Sequence, residues 1–216
     1  DDLIRQLNEM GITVHIQLAD KLMVGTQRQF VERLGGYTVL TTSINTISTG
    51  ELFVKRLFDI IGGLVGCVLT GILFLILAPA IKIQSPGPVF FSQIRVGKNG
   101  KKFKLYKFRS MYTDAEERKA QLVAENRVTD GLMFKLDFDP RIIGCRQLPD
   151  GTVKKGIGNF IRDWSFDEFP QFWNVLKGDM SLVGTRPPTE DEWVRYELHH
   201  RSRLAIKPGI TGMWQV

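Results

Sequence analysis

Between Ile60 and Ile81 the chain carries no charged side chain. As an α-helix these 22 residues extend about 33 Å, roughly the thickness of the hydrocarbon core of a bilayer. The rest of the fold must be built around this segment. Two readings are open, a simple transmembrane helix and a re-entrant helix that enters and leaves on one face. Lys55 and Arg56 stand before the run, and Lys82 follows it. Basic flanks stay on the cytoplasmic side, so two basic flanks argue for one side. Gly62, Gly63, Gly66, Gly71 and Pro79 read as helix breakers within it.

Downstream, Ser85–Pro88 reads as a turn, VFFSQIRV as a strand, Gly97–Gly100 as a hairpin loop and KFKLYKF as the returning strand. From Arg95 to Arg109 there are seven basic residues and no acid. One strand face is expected to be cationic, with Lys102, Lys104, Lys107 and Arg109. Most of these lysines read equally as a solvated face, or as a face toward anionic headgroups. Arg95 and Arg109 are expected to contact phosphate, because guanidinium forks match phosphate oxygens. The net charge of +6 suits an anionic partner. Nucleic acid is set aside, because the apolar run lies immediately upstream.

The stretch Ile161–Pro188, IRDWSFDEFPQFWNVLKGDMSLVGTRPP, holds two adjacent acids among aromatics, Asp167 and Glu168. Ser165 and Glu168 have capping-box spacing, and Pro170 is tolerated only in a first turn. Asp167 is therefore expected at or beside a helix N-cap, with Phe169, Phe172, Trp173 and Leu176 packed inward. A carboxylate there is kept ionised by free N–H groups, and the same helix end attracts phosphate. An acidic first turn with no further role is the plain alternative. Arg162 is inferred to point toward the same pocket.

Between these stretches, TDAEERKAQLVAENR reads as a polar helix from Thr113 or Asp114, and Asp150–Gly156 as a hairpin loop. EDEWVRYELHHRSRLAI reads as a helix with Trp193, Tyr196, Leu198 and Leu204 inward, and Ile210–Val216 as strand or loop. His199 and His200 diverge on that helix and cannot share a metal ion. Cys67 and Cys145 have no partner spacing for zinc or a disulfide.

At the other end, Asp1–Gly11 reads as a helix, ITVHIQL and YTVLTTS as strands, and Ser43–Gly50 as a linker. His15 reads as a core or edge residue. No GxGxxG is present, so no nucleotide site is expected here. The chain starts without Met and stops at Trp214-Gln215-Val216, and it reads as part of a longer protein.

The motif SFDEFPQFWNVLKGDMSLVGTRPP resembles the centre of the bacterial sugar transferases, monotopic phosphoglycosyl transferases that act on polyprenyl phosphate. KRLFDI (Lys55–Ile60), SPGPVFFSQIRVG (Ser85–Gly97), FKLYKFRSM (Phe103–Met111) and KPGITGMWQV (Lys207–Val216) extend the likeness over residues 51–216. The resemblance implies a membrane-associated α/β (α+β) fold. Residues 1–50 would be the tail of a Rossmann-like domain plus linker, 51–84 a re-entrant membrane helix, and 85–216 the catalytic domain. The family breaks its membrane helix with Ser-Pro; here Thr70-Gly71 stands nearby, with Gly71 as the bend, Thr70 capping a carbonyl and Pro79 sharing the job.

Carried over residue by residue, Asp167 is the nucleophile and Glu168 a Mg²⁺ ligand. Asp179 in Gly-Asp-Met reads equally as a second ligand or as a turn acid. Arg141 of Asp139-Pro140-Arg141 and Arg186 of Arg-Pro-Pro join Arg95, Arg109 and Arg162 as phosphate contacts, with Asp139 orienting Arg141. The implied partners are a UDP-sugar, undecaprenyl phosphate and membrane lipids, on the cytoplasmic face of a bacterial inner membrane. Exposed aromatics allow a homodimer.

Overall fold

The computed structural model describes residues 28–34, 37–43, 49–122, 138–196 and 201–212. It divides into two compact units, residues 1–48 and 49–216. In the first, β1 (Arg28–Leu34) and β2 (Tyr37–Ser43) pair antiparallel, from Arg28↔Ser43 to Leu34↔Tyr37. β2 is the strand expected from YTVLTTS. The helix expected over residues 1–11 and the strand ITVHIQL, His15 included, lie outside the described residues, as do His199 and His200.

The second unit opens with α1 (Thr49–Gln84), a 36-residue helix long and apolar enough to cross a membrane. Then come β3 (Phe90–Val96), β4 (Lys102–Phe108) and α2 (Ala115–Leu122). β5 (Arg146–Gln147), β6 (Val153–Lys154), α3 (Ile157–Asp163) and α4 (Gln171–Lys177) follow. β7 (Ser181–Val183), α5 (Glu190–Val194) and β8 (Gly209–Thr211) complete the order. The hairpins β3–β4 and β5–β6 are antiparallel, and β7–β8 is parallel with Ser181 opposite Gly209. The β3–β4 loop turns through Asn99 and Gly100 at positive φ, where an L side chain other than Asn or Asp is disfavoured.

The breaks expected at Gly71 and Pro79 do not interrupt α1, which stays helical through both. Its other glycines have a different use. A Cβ at Gly66 would lie 2.1 Å from the Phe172 ring, at Gly63 2.8 Å from Leu176, and at Gly62 2.6 Å from Leu182. They are seats for side chains of the following domain, not breakers. Thr70 does bond a carbonyl, its Oγ1 donating to Gly66 O at 2.7 Å, but within an intact helix.

Near its start, α1 is latched by charge. Asp59 is buried and accepts from Ser181 Oγ and Leu182 N, both at 2.9 Å. Lys55 donates to Ser181 Oγ and to Val183 O. Arg56 donates to Val175 O and Leu176 O at 2.7 Å each, at the C-terminal end of α4. Near its other end, Leu77, Ala78 and Ile81 bury against Val89, Phe108, Ile143 and Ile161. A second cluster joins Phe103 and Leu105 of β4 to Val175 and Met180. Phe53, Leu64, Val68, Leu75 and Ile83 on the remaining faces of α1 are exposed.

Candidate active site

The turn carrying the two acids is set by local backbone. Ser165 leaves α3 in the left-handed region at φ 53, and Phe166–Glu168 form a 3₁₀ turn. Glu168 N donates to Ser165 O at 3.1 Å and Phe169 N to Phe166 O at 3.2 Å. Pro170 occupies the N-cap of α4, where no N–H is required. The capping box expected between Ser165 and Glu168 does not form, because an N-cap needs extended backbone. Asp167 lies three residues ahead of the cap, so helix N–H groups do not hold it.

A lysine does. Lys107 Nζ stands 3.0 Å from Asp167 Oδ2 and 3.0 Å from Glu168 Oε1, with all three side chains half-buried or better. Lys107 shares its strand face with Phe103 and Leu105, whereas Lys102 and Lys104 lie on the other face beside Tyr106. The single cationic face expected of this strand is thus split by the two-residue period. Asn174, fully buried, locks α4 to β4: its Nδ2 donates to Lys104 O at 2.7 Å, and its Oδ1 accepts from Tyr106 N at 3.2 Å. This strand-like pairing brings Lys107 to the acids. Sequence reasoning missed Lys107, Asn174 and the Asp59 latch. The only signal for Lys107 was its odd position among even-numbered lysines.

Arg95 lies within electrostatic reach of Glu168, and Arg186 adjoins Arg95. Arg95 donates through Nε and Nη2 to Gln93 Oε1, and through Nη1 to Pro187 O at 3.1 Å. Burial lowers its pKa and the Arg186 charge lowers it further, opposed by Glu192 and Glu168. Arg186 and Arg95 flank Glu192 at 3.8 and 4.0 Å. Glu192 in turn closes a capping box with Thr189. Glu168, Arg95 and Arg186 therefore share one electrostatic neighbourhood.

The other expected residues divide. Arg141 is 6% exposed and grips Asp139 with both arms of its fork, at 2.8 and 2.7 Å. Asp139 thus orients Arg141, as expected of it. Burial alone would raise the Asp139 pKa; the hydrogen bonds and charge of Arg141, with the charge of Arg162, bring it below the ordinary value. Arg162 is exposed on α3, and no described ion pair joins it to Asp167. Arg109 is a correction: 4% exposed, it donates to the carbonyls of Ser85 and Pro86 and so pins the turn after α1. Its guanidinium is spent inside the fold rather than presented to phosphate. Asp179 pairs with Lys177 at 3.1 Å beyond the C-terminal end of α4. A seven-residue helix about 10 Å long separates it from Glu168, so the two cannot ligate one ion at about 2.1 Å. Trp173 is 57% exposed, not inward; the inward positions of α4 are Gln171, Asn174 and Val175.

Phe166, Phe169 and Phe172 meet edge to face at 5.8 and 5.7 Å, walling the acidic turn with aromatic surface. The arrangement sets two adjacent carboxylates against one ammonium, with the Arg95 guanidinium within electrostatic reach of Glu168. Paired carboxylates can hold one hard cation together with phosphate oxygens, or supply an oxygen nucleophile.

Residues 50–216 match the family described as bacterial sugar transferase. The chain is 45% identical over 215 residues to the galactosyl transferase CpsE of Streptococcus agalactiae, covering 100% of this chain and 45% of that protein. It is 39% identical over 175 residues to the undecaprenyl-phosphate galactose phosphotransferase of Salmonella typhimurium, covering 80% and 34%. It is 39% identical over 167 residues to the UDP-N-acetylgalactosamine-undecaprenyl-phosphate N-acetylgalactosaminephosphotransferase of Aeromonas hydrophila, covering 76% and 34%. The chain spans less than half the length of these relatives. It belongs to the bacterial sugar transferase family.

Proposed function

We propose that this protein transfers a hexose 1-phosphate from a UDP-sugar to undecaprenyl phosphate with release of UMP, the first membrane step of a capsule or exopolysaccharide pathway. The observation that carries the reading is the pair Asp167–Glu168 facing Lys107 at 3.0 Å, with Arg95 and Arg186 alongside. In the first step an oxygen of Asp167 attacks the phosphorus that bears the sugar. The bond from that phosphorus to the bridging oxygen breaks, and the oxygen leaves on UMP. In the second, an oxygen of the lipid phosphate attacks the aspartyl phosphosugar, restoring the carboxylate and forming the lipid diphosphate sugar. Lys107 aims Asp167, Arg95 and Arg186 hold the nucleotide phosphates, and Arg162 is available to the lipid phosphate. Cations fixed in advance around a transferring phosphoryl group supply most of such a rate enhancement.

The donor set also fits Mg²⁺, which takes one or two carboxylates plus substrate oxygens. Glu168 is the residue to hold it, and the ion when bound neutralises charge on the phosphate oxygens. The domain follows α1 from Lys55 to Ile81, so a helix crossing the bilayer would drag polar parts of the domain into hydrocarbon, where each unsatisfied group costs several kcal/mol. We therefore read α1 as inserted from one face, with both ends cytoplasmic.

The test uses detergent-purified protein, Mg²⁺ and a panel of UDP-glucose, UDP-galactose and UDP-N-acetylgalactosamine, read by UMP release and intact mass. One sugar should give UMP and a mass gain of one sugar phosphate, and Asp167→Asn should lose both. UMP only when polyprenyl phosphate is present, with no adduct, would replace the two-step route by direct transfer. No UMP with any donor would leave a membrane-surface scaffold.

A further inference from the structure

The membrane helix does more than hold the domain at a surface. α1 and α4 run antiparallel in contact, with Gly63 against Leu176, Gly66 against Phe172, and Thr70 reaching Phe169. Both ends of α4 are tied to α1. Arg56 donates twice at its C-terminal carbonyls. At the other end, Thr70 Oγ1 lies 3.0 Å from Phe169 O, the carbonyl of the residue that follows Glu168. Phe169 O already accepts from Phe172 N at 3.0 Å. The threonine hydroxyl is therefore its second donor, sharing one proton between Phe169 O and Gly66 O.

Resting on the functional reading above, we infer that Thr70 is a positioning residue for the transfer: its hydroxyl holds the Phe169 carbonyl and thereby sets the Asp167–Glu168 turn relative to the membrane helix. The acids are two or three residues from Thr70 through bonds and hydrogen bonds. The 3₁₀ turn that carries them has single backbone hydrogen bonds on either side, so it depends on an outside anchor more than an α-helix would. Pro170 cannot add one, because it has no N–H. Thr70 neither ligates nor protonates anything in the reaction; it acts through the placement of Asp167.

The experiment compares wild type, Thr70→Val and Thr70→Ser in nanodiscs with UDP-galactose and undecaprenyl phosphate, alongside amide exchange of the 166–173 segment followed by mass spectrometry. Thr70→Val removes the hydroxyl at nearly constant volume. Its kcat should fall about five- to tenfold, the effect of roughly one hydrogen bond, with KM for UDP-galactose within a factor of about two. Exchange at Glu168–Phe172 should quicken by about fivefold, and Thr70→Ser should restore both. Unchanged exchange in Thr70→Val overturns the inference whatever the activity does. Faster exchange with unchanged kcat overturns it too, as does a loss of kcat that Ser fails to restore, since that is a packing effect. A wild type without UMP release from UDP-galactose or from the other two UDP-sugars of the panel above would defeat the functional reading instead, and a positioning role in this transfer would fall with it, while the exchange data would still report whether the hydroxyl anchors the turn.

Discussion

Asp139 and Arg141 show what one buried charge pair contributes. Arg141 is sealed from water and bonded through both arms of its fork to Asp139. Removing the carboxylate breaks this buried charge pair, a loss that costs about 3 kcal/mol in such settings. Asp139→Asn should therefore lower the melting temperature at pH 7. The folded-state pKa of Asp139 is depressed, so the pair's contribution is complete above the unfolded-state value of about 3.9 and fades as pH falls through the lower folded one. Melts recorded from pH 7 downward should show the gap between wild type and variant narrowing only below about pH 4; a constant gap would mean that the carboxylate charge is not what stabilises. Much at this scale was legible in the sequence. Asp167, Glu168, Arg95 and Arg186 were all picked out from local motifs; the structure sets the two acids against Lys107 and Arg186 and Arg95 against Glu192. Lys107 was not, because the contact spans 60 residues of chain and local spacing cannot report it. Ser165 misled for the opposite reason: its spacing to Glu168 is that of a cap, but its left-handed φ of 53 forbids one.

Elements show a similar division. Strand alternation in β3 and β4 and the hairpin loop between them were readable, since period and turn chemistry are local. The glycines of α1 were not, because a seat for a neighbouring ring and a helix breaker are the same letter. Two substitutions separate these meanings. Gly66→Ala places a Cβ 2.1 Å from the Phe172 ring, and overpacking of this kind costs about 1–3 kcal/mol. Gly71→Ala meets nothing within 4 Å and removes a flexible residue from a helix, a gain of about 0.5–1 kcal/mol. Thermal melts in detergent should move in opposite directions. A destabilised Gly71→Ala would show that the helix needs glycine there after all.

For the whole molecule, the contacts of α1 at both ends predict a topology. With Cys67 and Cys145 replaced by Ala, cysteines introduced as Gly50→Cys and Gln84→Cys should both react with a membrane-impermeant maleimide from the cytoplasmic face only. Labelling from opposite faces would establish a spanning helix and require the domain to release one end of it. The sequence suggested this same-side arrangement through Lys55, Arg56 and Lys82 flanking the run on both sides, together with its glycines, Pro79 and the family likeness. What those charges do was hidden. Lys55 and Arg56 clasp the domain instead of lipid headgroups, and their partners lie more than a hundred residues away in sequence.

That distance has a consequence in time. Asp59 finds Leu182 N across 123 residues. At a synthesis rate of about 5–20 residues per second, the helix waits roughly 6–25 s before its partner strand leaves the ribosome. Throughout that interval an aspartate at the edge of an apolar segment has no distant donor. Lys55, one turn earlier and 3.7 Å from Asp59 in the finished fold, is made before it and can neutralise it from the start. The nascent helix thus carries its own counterion, and the same lysine also donates to Ser181 and Val183 once the domain closes.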